Sequence, residues 1–258
     1  MKVSKKDSAY EISYPGRSPD RTSLTTGPAL ADDPKSYDYG EKGPEVWGQL
    51  YPDFALCEKG DMQTPIDLGK AANAKGNVAL SISYESGPLT VQNKGLTVQA
   101  DFAPGSSINS AGMVFNLIQV HFHTPSEHAI DGKRFPMVGH FVHATENGQL
   151  GVLGVMFEEG VANAELAKIL AATPSEKSKP KTVEGQSLDP NGLLPADRAI
   201  YRYMGSLTTP PCSEGVNWHV LSNPITASAS QIAQFESLMG DNSRPLRAAN
   251  NRLVVAPQ

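Results

Sequence analysis

The sequence predicts a single, mainly β domain of the α+β class with a few peripheral helices. Three observations predict it. Short apolar or alternating runs recur along the chain, Gly, Pro, Asn and Asp separate them, and only two segments have helical periodicity. The length of 258 residues allows one or two domains, and no apolar run approaches the roughly 18 residues of a membrane span. The formal net charge of −5 argues against nucleic acid as a partner and leaves small molecules as the default.

The elements follow a polar amino-terminal segment. Residues 1–36 are rich in Ser, Thr, Pro, Gly and charge without periodicity, which predicts a disordered or loosely ordered arm before a domain over 37–258. Residues 174–196 are predicted to be a long polar connection. Strands are predicted at 78–84, 89–101, 115–124, 137–145, 151–157, 216–221 and 253–255. Helices are predicted at 163–172 and at 228–239, where Ser228 and Gln231 can form a capping box.

Five of the six histidines fall between His121 and His143. His121 and His123 lie two apart in a predicted strand, so their side chains share one face. A neighbouring antiparallel strand carrying His140 can supply a third imidazole. Three neutral imidazoles with one open position are typical of a catalytic zinc site. For the His-x-His pair alone, two ordinary strand histidines are about equally expected, but the third histidine favours hydrolytic or hydration chemistry on zinc.

In a regular strand side chains alternate between the two faces, which predicts the face on which each residue near His121 and His123 lies. This alternation places Phe115, Leu117 and Gln119 on the ligand face, where the carboxamide of Gln119 can accept a hydrogen bond from a non-ligating imidazole nitrogen. His143 points the opposite way from the third histidine, so it is predicted to be an ordinary buried histidine. His219 receives the same interpretation.

A second motif is Ser-Leu-Thr-Thr-Pro-Pro-Cys at residues 206–212. A threonine hydroxyl can accept a hydrogen bond from a zinc-bound hydroxide only if it donates its own proton to a carboxylate. Glu127, four residues after His123, is a suitable acceptor. The alternative for this segment is a rigid loop with solvated hydroxyls.

The two cysteines, Cys57 and Cys212, are too distant in sequence for a Cys-x-x-Cys motif. They form either one long-range disulfide or two free thiols. No secretory signal is visible, because the basic start is followed by polar residues. Either a signal has been removed or the protein is intracellular.

These residues resemble the α-class carbonic anhydrases of bacterial type. The resemblance covers about residues 37–257 and depends on a specific combination of motifs. The central motifs are Gln-Val-His-Phe-His at 119–123, Ser-Glu-His at 126–128, His-Phe-Val-His at 140–143 and the segment 206–211. Supporting matches lie within residues 39–67, at 216–218 and at 241–245.

The resemblance implies a large, twisted, mainly antiparallel sheet of about ten strands, with zinc at the base of a cone-shaped cavity. It implies that His121, His123 and His140 bind the zinc and that Thr208 orients the hydroxide through Glu127. The implied partners of the ligands are Gln119, the main chain of Asn242, and His128. The implied substrate pocket comprises Tyr39, Val142, Val152, Leu207, Thr209, Val216 and Trp218. Cys57 and Cys212 match the family's disulfide, which favours a periplasmic or secreted enzyme.

The implied activity is reversible hydration of carbon dioxide to bicarbonate by zinc-bound hydroxide. Inhibition by sulfonamides and small anions and a weak esterase activity also follow as expectations from the resemblance. The oligomeric state is left open, with a homodimer as one alternative. A different hypothesis is a non-catalytic, zinc-bearing binding or adhesion module of the same fold. A third is a zinc hydrolase for another substrate, although the chain has no His-Glu-x-x-His motif.

Two residues depart from the family pattern. Many relatives have a cavity histidine after Asn-x-Gly that passes the proton to solvent, whereas Leu96 follows Asn-Lys-Gly here. This predicts slower turnover that imidazole-type buffers partly rescue. Val138 stands where the family usually has a glutamate that accepts from the third ligand. His140 must therefore use water, His128 or a carbonyl, or remain unpaired, which predicts weaker zinc retention.

Overall fold

The computed structural model describes residues 35–258, of which Ser36–Gln258 form one compact unit. The predicted arm over 1–36 lies outside the described residues except for its last two positions. No helix of the described part of the chain is long and apolar enough to cross a membrane.

Within residues 35–258, thirteen strands form one large, mixed, twisted sheet. Their bounds are β1 (Ala74–Lys75), β2 (Leu80–Ser83), β3 (Gly87–Asn93), β4 (Val98–Asp101), β5 (Ser107–Ser110), β6 (Met113–His123), β7 (Met137–Ala144), β8 (Leu150–Glu159), β9 (Lys181–Leu188), β10 (Ile200–Ser206), β11 (Glu214–Leu221), β12 (Ile225–Ala227) and β13 (Val254–Ala256). Ten of them follow the order β1-β13-β10-β11-β8-β7-β6-β4-β3-β9, and β2, β5 and β12 lie off this path. Pairing is parallel only for β1–β13, β8–β11 and β8–β12. The expected mainly antiparallel sheet of about ten strands is confirmed.

The two predicted helices form, and each has a side-chain cap at its amino terminus. Their bounds are α4 (Ala164–Ala172) and α5 (Ala229–Met239). Asn163 caps the first by accepting from two main-chain N–H groups, and Ser228 and Gln231 form the predicted capping box on the second. Several short helical segments were not predicted from the sequence: the four-residue helices α1 (Trp47–Leu50), α2 (Leu56–Lys59) and α3 (Leu68–Ala71), and the 3₁₀ segments Pro52–Phe54 and Pro190–Leu193.

Two predictions about the strands are wrong. Residues 89–101 form two strands, β3 and β4, because Gly95 makes a left-handed turn with φ of 84° and its N–H bonds to the Asn93 side chain. The predicted polar connection over 174–196 contains β9, an edge strand paired with β3. Most of its side chains are exposed on both faces, so no hydrophobic alternation marks it.

The predicted alternation along β6 is also wrong in its first half. Leu117 pairs with His143, but Gln119 pairs with Val142, so β6 carries one extra residue between them. This β-bulge reverses which face the following side chains occupy. Phe115 and Leu117 therefore lie in the main apolar core, and only Gln119, His121 and His123 share the ligand face.

Cys57 and Cys212 form a disulfide with a Cα–Cα distance of 5.0 Å, which decides between the two alternatives for the cysteines. It lies in a small apolar cluster with Trp47 and Phe54. The bond ties α2 to the loop after β10, which is the loop that carries Thr208.

Candidate metal centre

Three histidines converge where β6 and β7 lie side by side. His121 of β6 is directly opposite His140 of β7, and His123 lies two residues further along β6 on the same face. One nitrogen from each ring lies within 4.8 Å of the others. The predicted histidine cluster is therefore present.

Hydrogen bonds fix which nitrogen of each β6 histidine is free. Nδ1 of His121 lies 3.0 Å from Oε1 of Gln119, and Nδ1 of His123 lies 2.8 Å from the main-chain oxygen of Asn242. Each acceptor holds a proton on Nδ1 and leaves the Nε2 lone pair available. Gln119 and Asn242 thus occupy the places that the resemblance implies for them.

His140 faces the cluster with Nδ1, whereas the two β6 histidines face it with Nε2. Its Nδ1 lies 3.7 Å from Oε2 of Glu127, and the same oxygen lies 3.6 Å from Nε2 of His123. Nδ1 therefore faces the cluster. Nε2 of His140 points away from it and is buried without a hydrogen-bond partner among the described residues.

The donor set fits a zinc ion. Burial is the main cause that lowers the pKa of His121 and of His140 well below the usual value, and the neighbouring imidazoles add to it. Neutral imidazoles are the form that binds zinc. Nε2 of His123 is buried and has no hydrogen-bond partner within residues 35–258, a need that a metal bond would satisfy.

Glu127 is fully buried beside the cluster. Its Oε1 accepts from the main-chain N–H of Arg244 at 3.0 Å, and the Arg244 guanidinium donates to the carbonyls of Cys57 and Thr64. Its Oε2 has no hydrogen-bond partner in residues 35–258. The predicted bond from Thr208 is therefore not formed in this structure, although Thr208 is buried and one carboxylate oxygen is free to accept it.

The implied pocket residues group around one indole ring. Trp218 lies 4.9 Å from the ring of His140, measured between centroids. Three residues of this apolar cluster are buried and two are partly buried: Val152, Val216 and Trp218, with Val142 and Leu207 packed against them.

Tyr39 and Thr209 are half-buried. Burial, with the proximity of Glu127 added, raises the pKa of Tyr39. Burial also raises the pKa of Tyr37, a residue not predicted from the sequence, and the Thr209 side chain opposes that rise. The only sequence signal for Tyr37 is its place two residues before Tyr39.

The remaining histidines are buried and hydrogen-bonded inside the protein. Nε2 of His128 lies 2.6 Å from the hydroxyl of Tyr203, Nε2 of His143 lies 2.8 Å from that of Tyr84, and Nε2 of His219 lies 2.8 Å from Oγ of Ser110. His143 and His219 lie outside the three-histidine cluster. Tyr203 had no signal in the sequence.

We expect the free energy of unfolding to fall in acid. Burial lowers the pKa of His143 to about 3 and that of His219 to about 4, against 6.5 for an exposed histidine. Below pH 6.5 the unfolded chain binds protons that the folded chain does not, so stability falls from there toward pH 4. Each histidine contributes about 1.4 kcal/mol per pH unit. Urea unfolding at pH 7, 6 and 5 measures the slope. His143→Phe should reduce it by about one histidine's share, and an unchanged slope would contradict the assignment.

Comparison with known proteins identifies the family. The family model described as eukaryotic-type carbonic anhydrase matches residues 42–258. A carbonic anhydrase of Pectobacterium carotovorum is 43% identical over 229 residues, which are 88% of this chain and 93% of that protein. One from a Nostoc species is 42% identical over 238 residues, which are 91% and 90% of the two chains.

The solved structures agree. The α-carbonic anhydrase of Thermovibrio ammonificans, in complex with the inhibitor sulfanilamide, superposes with a TM-score of 0.82 at 41% identity. The match covers 86% of this chain and 100% of that one. The chain therefore belongs to the α-class, or eukaryotic-type, carbonic anhydrase family.

Proposed function

We propose that the chain catalyses the reversible hydration of carbon dioxide to bicarbonate and a proton, with zinc held by His121, His123 and His140. The observation that carries the proposal is the convergence of three imidazole nitrogens within 4.8 Å of one another beside a buried carboxylate. Bound zinc supplies a hydroxide nucleophile at neutral pH by lowering the pKa of a coordinated water.

The protein's own groups prepare the ligands. The Gln119 carboxamide and the Asn242 carbonyl keep the protons of His121 and His123 on Nδ1, so both Nε2 lone pairs face the metal position. The side chain of Asn242 also donates to the carbonyls of Leu96 and Phe122, which ties the Leu96 loop to the end of β6.

Thr208 and Glu127 would direct the nucleophile. Oε1 of Glu127 is occupied by the Arg244 N–H, so Oε2 is the oxygen left to take the Thr208 proton. The Thr208 oxygen is then only an acceptor, which sets the direction of the nucleophile's own proton and lone pair. The main-chain N–H of Thr208 would hold bicarbonate. The apolar cluster around Trp218 would hold carbon dioxide.

Stopped-flow carbon dioxide hydration tests the proposal. We expect activity in the zinc-loaded chain, its loss with a chelator and its return with zinc. Sulfonamides should inhibit, as the sulfanilamide complex of the Thermovibrio ammonificans enzyme suggests. A non-catalytic module would bind zinc with no hydration above background.

We also propose that the enzyme works outside the cytoplasm, in the periplasm or after secretion. The Cys57–Cys212 disulfide supports this, because such bonds form and persist in oxidising compartments.

Export of the proton is proposed to limit turnover. All six histidines lie within the described residues, and none is placed to carry a proton to solvent. Three form the cluster, and His128, His143 and His219 are fully buried. Leu96, half-buried at the position of the family's usual shuttle, does not titrate.

Leu96→His is therefore expected to raise kcat by about tenfold or more, since a positioned acid–base group contributes at least that much. The buffer molecules should be too large to enter the cavity and accept the proton there themselves. The Leu96 carbonyl is already held by Asn242 at 2.8 Å, so the backbone there is fixed. Steady-state hydration rates measure the change, with Leu96→Asn as the non-titrating control. Added imidazole should raise the wild-type rate more than that of Leu96→His. If imidazole leaves the wild-type rate unchanged, proton export is not limiting.

Val138→Glu is expected to tighten zinc binding by about tenfold or more, because partners of ligating histidines typically alter metal affinity 10–100-fold. Val138 lies on β7 two residues before His140 and on the same face, where a carboxylate could accept from the unpartnered Nε2. Competition against a chromophoric chelator measures the affinity, and Val138→Leu is the apolar control. Equal affinities in the two variants would show that this nitrogen does not limit zinc retention.

A further inference from the structure

Two buried imidazoles behind the metal position each lack a hydrogen-bond partner at one nitrogen. Nε2 of His140 and Nδ1 of His128 make no hydrogen bond with any residue of 35–258. The two rings meet edge to face with centroids 6.1 Å apart. An unpaired polar group in such a site costs about 1–3 kcal/mol, so the pair requires an explanation.

The hydrogen-bond network assigns the proton on His128. The hydroxyl of Tyr203 donates to Oγ1 of Thr64 at 3.2 Å, and the main-chain N–H of Ser206 also donates to that oxygen at 2.9 Å. Since the Tyr203 proton is used, its oxygen accepts from Nε2 of His128 at 2.6 Å. His128 therefore carries its proton on Nε2, and its Nδ1 is an acceptor.

The proton on His140 is assigned by the metal position. Its Nδ1 faces the histidine cluster, close to Glu127, so Nδ1 is the nitrogen that would bind zinc. A neutral imidazole that binds through Nδ1 carries its proton on Nε2. Nε2 of His140 is thus a buried donor, and the neighbouring Nδ1 of His128 is a buried acceptor.

The neighbouring side chains of Trp218 and Val138 offer Nε2 of His140 no acceptor. The indole of Trp218 packs against both rings, at 4.8 Å from His128 and 4.9 Å from His140 between centroids. Its one N–H donates to the Ser206 carbonyl. Val138 belongs to the same apolar cluster as Trp218 and Tyr203 and has no polar side-chain atom.

We propose that His128 is a positioning residue of the metal centre, whose Nδ1 accepts the Nε2–H of His140 through one shared water, since rings with centroids 6.1 Å apart are too distant for a direct bond. Tyr203 and Thr64 hold His128 in the required tautomer. The third ligand is thereby oriented by a neutral imidazole, whereas a carboxylate would add negative charge behind it. The proposal rests on the proposed function only in taking zinc as the ion that His140 binds.

The test is the zinc affinity of the full-length chain, measured by competition with a chromophoric chelator. His128→Phe should bind zinc about 10–100-fold more weakly than wild type. The matched control is His143→Phe, which removes another fully buried histidine that bonds to a tyrosine hydroxyl, away from the metal position. It should change zinc affinity less than twofold. Equal zinc affinities of the two variants would overturn the proposal.

Tyr203→Phe provides a second test if His128→Phe does not fold. Without the hydroxyl, His128 can move its proton to Nδ1 and lose the acceptor, so zinc should bind more weakly, by less than in His128→Phe. In the zinc-loaded wild type, NMR should show a slowly exchanging Nε2 proton on His140, which Tyr203→Phe shifts or broadens. An unchanged affinity with an unchanged proton signal would contradict the proposal.

A third variant tests the acceptor role itself. In the Val138→Glu background a carboxylate can replace Nδ1, so His128→Phe should weaken zinc binding less there than in wild type. Equal losses in both backgrounds count against the proposal.

Wild type that binds zinc one-to-one without hydrating carbon dioxide would refute the proposed function alone, whereas wild type that binds no zinc would refute both.

Discussion

Glu127→Gln is expected to lower kcat/KM for carbon dioxide hydration by about 10²–10³-fold while zinc remains bound. The Arg244 N–H donates to Oε1 of Glu127 and requires an acceptor there. A glutamine would keep its oxygen at that position and place its amide where Oε2 now lies. The amide would then donate a hydrogen bond to the Thr208 hydroxyl, and the hydroxyl proton would turn toward the nucleophile. The nucleophile would accept that proton with the lone pair that it needs for attack on carbon dioxide.

The control for this prediction is a double-mutant cycle. Thr208→Ala should lose a similar factor, and Thr208→Ser, which keeps the hydroxyl, should lose far less. Because the two residues act as a unit, Glu127→Gln combined with Thr208→Ala should be little worse than either alone. Strictly multiplicative losses, or a Glu127→Gln enzyme within about threefold of wild type, would show that Thr208 acts without the carboxylate.

The second large effect concerns stability. Replacing Cys57 and Cys212 by serine should lower the free energy of unfolding by about 4–5 kcal/mol, because the bond closes a loop with a sequence separation of 155 residues. Urea unfolding at neutral pH measures the change. Activity of the folded fraction should also fall, since the bond anchors the loop that carries Thr208 and Thr209, and the Cys212 N–H bonds to the Thr209 carbonyl.

Reduction provides the matched control. Wild type unfolded in the presence of a strong thiol reductant should lose the same stability as the Cys57→Ser/Cys212→Ser double variant. The double variant itself should not respond to the reductant. If wild type and double variant unfold at the same urea concentration without reductant, the disulfide does not stabilise the fold.

The metal centre could be predicted from the sequence because its information is local. His121 and His123 share a face through the two-residue period of a strand, and a short connection brings His140 opposite. The helix caps at Asn163 and Ser228 were predictable for the same reason, since a cap is a pattern of a few adjacent residues.

The bulge in β6 was not predictable from alternation. Strict alternation places Phe115 and Leu117 on the face opposite Val120 and Phe122, whereas the one-residue shift between the pairs puts all four apolar side chains in the core. The edge strand β9 was missed because its polar residues resemble a loop. In both cases the partner strand determines the conformation, and a single sequence does not identify the partner.

The partners of Glu127 and His128 could not be predicted from the sequence either. Arg244 reaches Glu127 over a separation of 117 residues, and Tyr203 reaches His128 over 75. Neither pair is part of a local motif. Only the folded sheet brings β10 and the segment after α5 against the metal position.

Zinc X-ray absorption on the full-length chain tests the central claim most directly, namely that three imidazoles converge on one zinc ion. With one equivalent of bound zinc, we expect three nitrogen ligands at about 2.0–2.1 Å, one oxygen ligand and no sulfur. His123→Ala should lose one nitrogen and most of the zinc. A first shell with fewer than three imidazoles, or a zinc content that His123→Ala leaves unchanged, would contradict the account.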